Sequence, residues 1–249
     1  MTAEATTSES RRTAFVAAAA AATVAGAAHA GPALTSVLPV RTTALPGIAG
    51  IGSADHVALT FDDGPDPVST PQFLRLLEAY DVKATFFLLG FMLDRSPGLA
   101  REIADAGHDI ALHGYQHINL LRRTPWATRD DLTRAHDLIA DLTGAPPRFY
   151  RPPYGVLTGS AWRTASRLGM QTVLWTCWGK DWSAKATPDT VHRTVSRRLA
   201  GGGTILLHDA DCTSAPESWR STLGAVPRLI EDCHRDGLQV GPLSRHFSA

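Results

Sequence analysis

From Val57 to Pro242 the sequence alternates short apolar runs, rich in β-branched and aromatic residues, with longer stretches whose apolar residues recur at helical spacing. About seven such strand–helix units in succession leave few ways to fold, because that order builds a parallel sheet with crossover helices. The expected class is therefore α/β, the sheet either closed as a barrel or open and doubly wound. Strands are expected from Val57, then over Ala84–Gly90, Asp109–His113, Arg148–Arg151, Gln171–Trp178, Thr204–His208 and Leu238–Pro242. Helices are expected over Thr70–Tyr80, Pro97–Ala106, Arg129–Leu142, Gly159–Leu168, Pro188–Leu199 and Leu223–Arg235. In either architecture functional groups gather at the C-terminal ends of the strands.

Those ends carry charge, strand after strand. The first strand runs into Asp62 and Asp63, followed by the turn pair Gly64-Pro65; later ones reach His113, Arg151, Asp181 and His208-Asp209. Asp, Gly and Pro are ordinary turn residues, so Asp62-Asp63 alone would read as a solvated turn. Titratable groups recurring at one edge favour a convergent site instead. Adjacent carboxylates repel, which calls for a metal or a cation beside them. His113 and His117 stand four apart, close enough to share one face of a turn. Two imidazoles and a carboxylate make a facial set for Zn²⁺, and the second Asp is then free to act as a base on metal-activated water. Arg151 leads into Pro152-Pro153, which stiffen the strand exit and suit a guanidinium that fixes a carboxylate, although a plain salt bridge is the simpler reading. His208, after the buried run I-L-L, could serve as a general acid, with Asp181 to orient it and raise its pKa. Tyr115, Trp178, Trp182 and Trp219 lie near these ends, where flat rings suit sugars; core packing is equally open for Trp178.

The N-terminus reads differently from the rest. Arg11-Arg12 precede a small-apolar run from Thr13 to Ala28, and Ala28-His29-Ala30 fits a signal-peptidase site. Residues 1–30 are expected to be a signal peptide cleaved after Ala30, with export of the mature chain. The run is shorter than the roughly 20 residues of a membrane span, so no stable membrane anchor is expected. Arg11-Arg12 also hint at twin-arginine export, but Phe15 falls one residue late for that pattern. Residues 31–54, rich in Pro, Gly, Ala and Thr, read as a linker or N-terminal arm, and 55–249 as the domain that carries the convergent site. A formal net charge of zero argues against a nucleic-acid partner. Cys177, Cys212 and Cys233 are an odd set without C-x-x-C spacing and are expected to be free thiols.

Five ordered motifs carry a resemblance: T-F-D-D-G at Thr60 to Gly64, H-x-x-x-H at His113 to His117, R-P-P-Y-G at Arg151 to Gly155, D-W at Asp181-Trp182 and L-L-H at Leu206 to His208. From about Asp55 onward the chain resembles the polysaccharide deacetylases, the NodB-homology enzymes of carbohydrate esterase family four. The resemblance implies a distorted (β/α) barrel and removal of N-acetyl or O-acetyl groups from a polysaccharide such as peptidoglycan or chitin. It makes Asp63, His113 and His117 metal ligands, Asp62 the base, Arg151 its partner, and His208 the acid tuned by Asp181. Tyr154 would hold the oxyanion through its backbone N–H, and Leu206 would line an acetyl-methyl pocket beside Trp182. One position departs: the residue after the first His is usually Ser or Thr and is here Gly114. Two other readings stand beside this one. A carbohydrate-binding protein without catalysis predicts decay at Asp62, Asp63, His113, His117 or His208, and all five are present. An amidohydrolase of small amides fits poorly with an export signal.

Overall fold

The computed structural model describes residues 2–247. Among these, eight strands form one parallel sheet: β1 (His56–Asp62), β2 (Thr85–Leu89), β3 (Asp109–Gly114), β4 (Phe149–Tyr150), β5 (Gln171–Thr172), β6 (Cys177–Trp178), β7 (Thr204–His208) and β8 (Gln239–Gly241). Their order is β5-β4-β3-β2-β1-β7-β6, with β8 paired to the first residues of β1. The result is the distorted (β/α) barrel that the motifs imply, curled around β1 and left unpaired between β5 and β6. Central parallel strands are covered on both sides, which is why β1 and β2 are mostly apolar and buried along their whole length, with the polar His56, Thr60 and Asp62 of β1 buried as well.

The helices are α1 (Thr2–Ala30), α2 (Leu38–Ala44), α3 (Pro46–Ala49), α4 (Thr70–Ala79), α5 (Gly90–Arg95), α6 (Pro97–Asp105), α7 (Pro125–Thr143), α8 (Gly159–Arg167), α9 (Pro188–Ser196), α10 (Trp219–Arg235) and α11 (Leu243–His246). Those that follow strands bury one apolar stripe each. Phe73 and Leu77 of α4 pack with Phe61 and Phe86 of the sheet, the Phe61 and Phe73 rings lying 5.1 Å apart. Each such side chain removed from water contributes about 1.5–3 kcal/mol. Helix α7 begins four residues before the expected Arg129, because the Thr124 hydroxyl caps the Ala127 N–H and Pro125 opens the first turn.

Three stretches differ from their sequence reading. The run expected as one strand over Gln171–Trp178 is split: β5 pairs with β4 at one edge of the sheet, and β6 with β7 at the other. Residues 173–176 step across the opening between them. Their polar groups find separate partners there, the Leu174 N–H donating to the Ile48 carbonyl at 2.7 Å and the Thr176 N–H to the Thr204 carbonyl at 3.0 Å. Helix α5 was not anticipated; it follows β2 without a loop, and Gly90 leaves room for the Tyr115 ring, which would lie 2.3 Å from a Cβ there.

The third is the expected linker or arm. Residues 31–36 form a 3₁₀ turn, followed by α2 and α3, and this segment buries Thr35, Arg41 and Ala49 against the opening of the barrel. Elements this short cannot display a helical period in sequence. Overlapping its first turn, Ala14–Ser36 is 23 residues with a mean hydropathy of 1.5, long and apolar enough by composition to cross a membrane. That is longer than the Thr13 to Ala28 run, so length does not distinguish a signal helix from an anchor.

Candidate active site

The register of the strands sets the site. Asp62 of β1 lies opposite His208 of β7, and Leu112 of β3 opposite Tyr150 of β4, so the residues one step on, His113 and Arg151, are neighbours. Asp62 and Asp63 would point to opposite sides of a regular strand. Here the chain leaves β1 at Asp63 in the left-handed region, φ 77°, and both carboxylates reach the same cavity. A non-glycine residue in that region costs about 1–2 kcal/mol, so neighbours must hold it. The loop after β7 does so: the Thr213 hydroxyl donates to Asp63 Oδ2, and the Cys212 thiol to the Asp63 carbonyl at 3.4 Å. Gly64 completes the turn, since a Cβ there would come within 2.6 Å of the buried Asp209 carboxyl. Burial raises the pKa of that carboxyl to about 7, with the Asp63 charge adding to the rise against a Thr70 hydrogen bond.

His113, His117 and Asp63 converge. Nδ1 of His113 is 2.8 Å from the Arg151 carbonyl, a contact that requires a proton on Nδ1 and leaves Nε2 with a lone pair. Nε2 of His113 lies 3.4 Å from Asp63 Oδ1, and Nε2 of His117 lies 3.6 Å from the same oxygen. The three ligand atoms are all within 4.8 Å of one another. Burial pushes the His117 pKa down to about 4. Burial tends to raise that of Asp63, yet His208, His113 and His117 bring it below the usual carboxylate value. Asp63 Oδ1 is buried and has no hydrogen-bond partner. A carboxylate oxygen left bare between imidazole nitrogens fits a divalent cation, and an N,N,O donor set of this kind suits Zn²⁺ with further positions open.

Two polar pairs flank this group. On one side Arg151 donates from Nη1 to Asp62 Oδ1 at 2.6 Å and to Thr60 Oγ1 at 2.9 Å, while Phe87 stacks on its guanidinium 3.9 Å from the ring centre. Asp62 Oδ2 is left facing His113 Nε2 at 3.8 Å. On the other side Asp181 Oδ2 accepts the His208 backbone N–H at 2.8 Å and the Thr222 hydroxyl at 2.7 Å. Its Oδ1 is 3.0 Å from His208 Nδ1. Burial alone would depress the imidazole, but Asp181, by charge and hydrogen bond, and then Asp63 and Asp62 raise its pKa to about 10. His208 is thus an imidazolium at neutral pH, with Nδ1 engaged by Asp181.

The cavity is about 210 Å³ and is walled by Asp62, Asp63, His113, His117, Tyr154, Trp178, Trp182, Leu206, His208, Thr213 and Ser214. Arg151 and Asp181 stand behind that wall, Arg151 holding Asp62 with its guanidinium and His113 with its carbonyl, and Asp181 holding His208. Trp178 is in the wall, 4.8 Å from the Trp182 ring, which settles the choice left open for it. Two other expected aromatics are elsewhere. Trp219 is buried in the core, and the Tyr115 hydroxyl bonds Asp94 while Arg134 covers its ring. Tyr154 has φ 60° and meets His117 edge-on at 4.4 Å.

Sequence reasoning missed Thr213, Ser214 and Asp131. The first two are on an irregular loop with no pattern to mark them. Asp131, inside α7, accepts the Tyr115 N–H at 2.8 Å and pairs with Arg123, bracing the loop between the two histidines. Gly114 adopts φ 122°, a conformation that Ser or Thr would resist, so the usual hydroxyl is absent and Asp131 holds the loop instead.

Fold and site together define a class: a (β/α) barrel with an Asp-His-His group able to hold a metal ion at the C-terminal ends of its strands. Comparison with known proteins narrows it. The profile of the polysaccharide deacetylase family matches residues 49–173. A chitooligosaccharide deacetylase of Bradyrhizobium sp. (strain ANU 289) is 34% identical over 201 residues, covering 78% of this chain and 91% of that one. A peptidoglycan-N-acetylglucosamine deacetylase of Bacillus cereus is 31% identical over 191 residues, 76% of this chain and 86% of the relative. The crystal structure of the Bc1960 peptidoglycan N-acetylglucosamine deacetylase superposes with a TM-score of 0.75 at 30% identity, over 82% of this chain and 94% of that one. The chain belongs to the polysaccharide deacetylase family, carbohydrate esterase family four.

Proposed function

We propose that this protein is an exported, metal-dependent deacetylase that removes the N-acetyl group from N-acetylglucosamine units of a glycan polymer. The observation that carries the reading is Asp63 Oδ1, buried without a hydrogen-bond partner between two imidazoles, with Asp62–Arg151 on one side and His208–Asp181 on the other. Two relatives are named for chitooligosaccharide and for peptidoglycan N-acetylglucosamine, and the unit those names share is an N-acetylated glucosamine.

Asp63, His113 and His117 would hold the cation, most suitably Zn²⁺. Bound there, it would polarise the acetyl carbonyl and acidify water for attack. The rest is the work of this chain's own residues. Asp62 turns Oδ2 toward the site while Arg151 grips Oδ1, so the free oxygen is the one placed to take a proton from water. His208, charged and held through Nδ1, presents its remaining N–H to the leaving amine, which must gain a proton before it departs. Leu206, Trp178 and Trp182 offer an apolar wall for the acetyl methyl group, and the Tyr154 turn borders the position of the carbonyl oxygen. Each positioned proton-transfer group contributes on the order of 10²–10⁴ in rate.

The test is acetate release from chitooligosaccharides, peptidoglycan and acetylated xylan, with metal analysis of the same preparation. Release from the first two, abolished by a chelator and restored by Zn²⁺, supports the reading. Glycan binding without acetate release, or full activity in metal-free protein, refutes it.

A further inference from the structure

Where the barrel is open, three successive carbonyls are held by two buried arginines. Arg151 donates from Nε to the Val173 carbonyl at 3.1 Å and from Nη2 to the Leu174 carbonyl at 2.9 Å. The Trp175 carbonyl accepts twice from Arg41, from Nε at 3.1 Å and Nη2 at 2.8 Å. Nη1 of Arg41 ties this strip to residues 35 and 36, donating to their carbonyls at 3.0 and 2.9 Å. Arg41 is 2% exposed, and these hydrogen bonds all go to carbonyl oxygens. Burying a guanidinium on neutral partners is expensive. Burial, with the Arg151 charge nearby, pushes its pKa down to about 10.

The location suggests what that cost supports. The Arg41 guanidinium lies 5.0 Å from the centre of the Trp175 ring. The far edge of this ring meets Gly155, where φ is +67° and a Cβ would sit 2.6 Å from the indole. Gly155 directly follows Tyr154 of the cavity wall. One strip of backbone therefore seats both the guanidinium that grips Asp62 and the turn that presents Tyr154.

We propose that Arg41 is a positioning residue of the active site, fixing Trp175 so that Arg151 and the Tyr154–Gly155 turn keep their places; residues 31–50 then belong to the catalytic unit. The inference rests on the deacetylase reading for its kinetic consequence, though not for its structural one. Misplacing reacting groups by about 1 Å can cost up to ~10²-fold, so a kcat loss of about 10- to 100-fold is expected with KM little changed.

The experiment uses the full chain carrying R41A or R41K. In R41A, acetate release from an N-acetylglucosamine oligomer should fall in kcat with full metal content, and methylguanidinium should restore part of it. R41K keeps the charge and one donor for the Trp175 carbonyl; it should lie between R41A and wild type, and it decides the matter if R41A does not fold. Hydrogen exchange reads the seam without any activity: R41A, or R41K to a lesser degree, should lose protection at Val173, Thr176 and Gly155 while β1 keeps its own. A folded variant with wild-type kcat, a loss confined to KM, or unchanged protection at those amides would overturn the proposal. Wild-type protein that releases no acetate would sink the deacetylase reading instead, and hydrogen exchange would still judge the role of Arg41.

Discussion

The most exacting prediction concerns Asp181→Asn, a change that keeps size and removes one charge. Asp181 accepts three hydrogen bonds, from His208 Nδ1, the His208 backbone N–H and the Thr222 hydroxyl. An amide can accept at one end only, so at least one of these meets an N–H donor in the variant. More important is the loss of charge 3.0 Å from the imidazole. Burial depresses the His208 pKa, and Asp181 is the principal group that overrides burial to bring it from 6.5 to about 10. An opposite charge at this range is worth about 1–3 pKa units, so the alkaline limb of the pH–rate profile should move down by about that much. Limbs of such a profile belong to the coupled site, so the shift between the two proteins is the quantity to read. Activity should fall most between about pH 8 and pH 10, where only the wild-type imidazole keeps its proton, and much less near pH 6. Stability follows the same sign. A pKa raised on folding makes His208 stabilising in full below pH 6.5, and that contribution fades as pH rises through about 10; the variant should lose most of it. The assays are a pH–rate profile for acetate release and an NMR titration of His208. An alkaline limb that stays in place in the variant would refute the assignment of His208 as the acid tuned by Asp181.

The other predictions address the remaining parts of the site and the leader. His113→Ala or His117→Ala should lose bound metal and activity together, whereas Asp62→Asn should lose about 10²–10⁴ in rate yet keep its metal; metal retained by Asp63→Asn but lost from Asp62→Asn would reverse the two carboxylates. Thr213→Val removes the donor to Asp63 Oδ2 and should weaken metal affinity about 10- to 100-fold, the usual effect of losing a ligand's own partner, measured by competition with a chromogenic chelator. An unchanged affinity would show that Asp63 needs no such support. N-terminal sequencing of exported protein should begin at Gly31, and a product that keeps Arg11 to Ala28 would show that α1 is an anchor instead.

Much of this protein is legible in its sequence because strongly local physics writes it there. The alternation of apolar strands with amphipathic helices predicts the parallel sheet, since each unit must bury a strand and one helical stripe; its closure into a barrel was implied only by the motifs. The site residues at the strand ends are legible for a related reason: strand termini are marked by turn residues, and charge next to an apolar run stands out. Asp62, Asp63, His113, His117 and His208 fall in one cavity because all of them occupy the same edge. What tertiary structure alone decided depends on contacts between distant segments. The run from Gln171 to Trp178 reads as one strand, yet the curl of the sheet makes it bridge two edges. The arm of residues 31–50 has no period to read, and its place against the Trp175 carbonyl follows from an arginine 134 residues away in sequence. Likewise the brace from Asp131 to the histidine loop and the hydrogen bond from Thr213 to Asp63 join elements that nothing local relates. Such partners are chosen by which groups are left buried and unsatisfied once the barrel has closed around them.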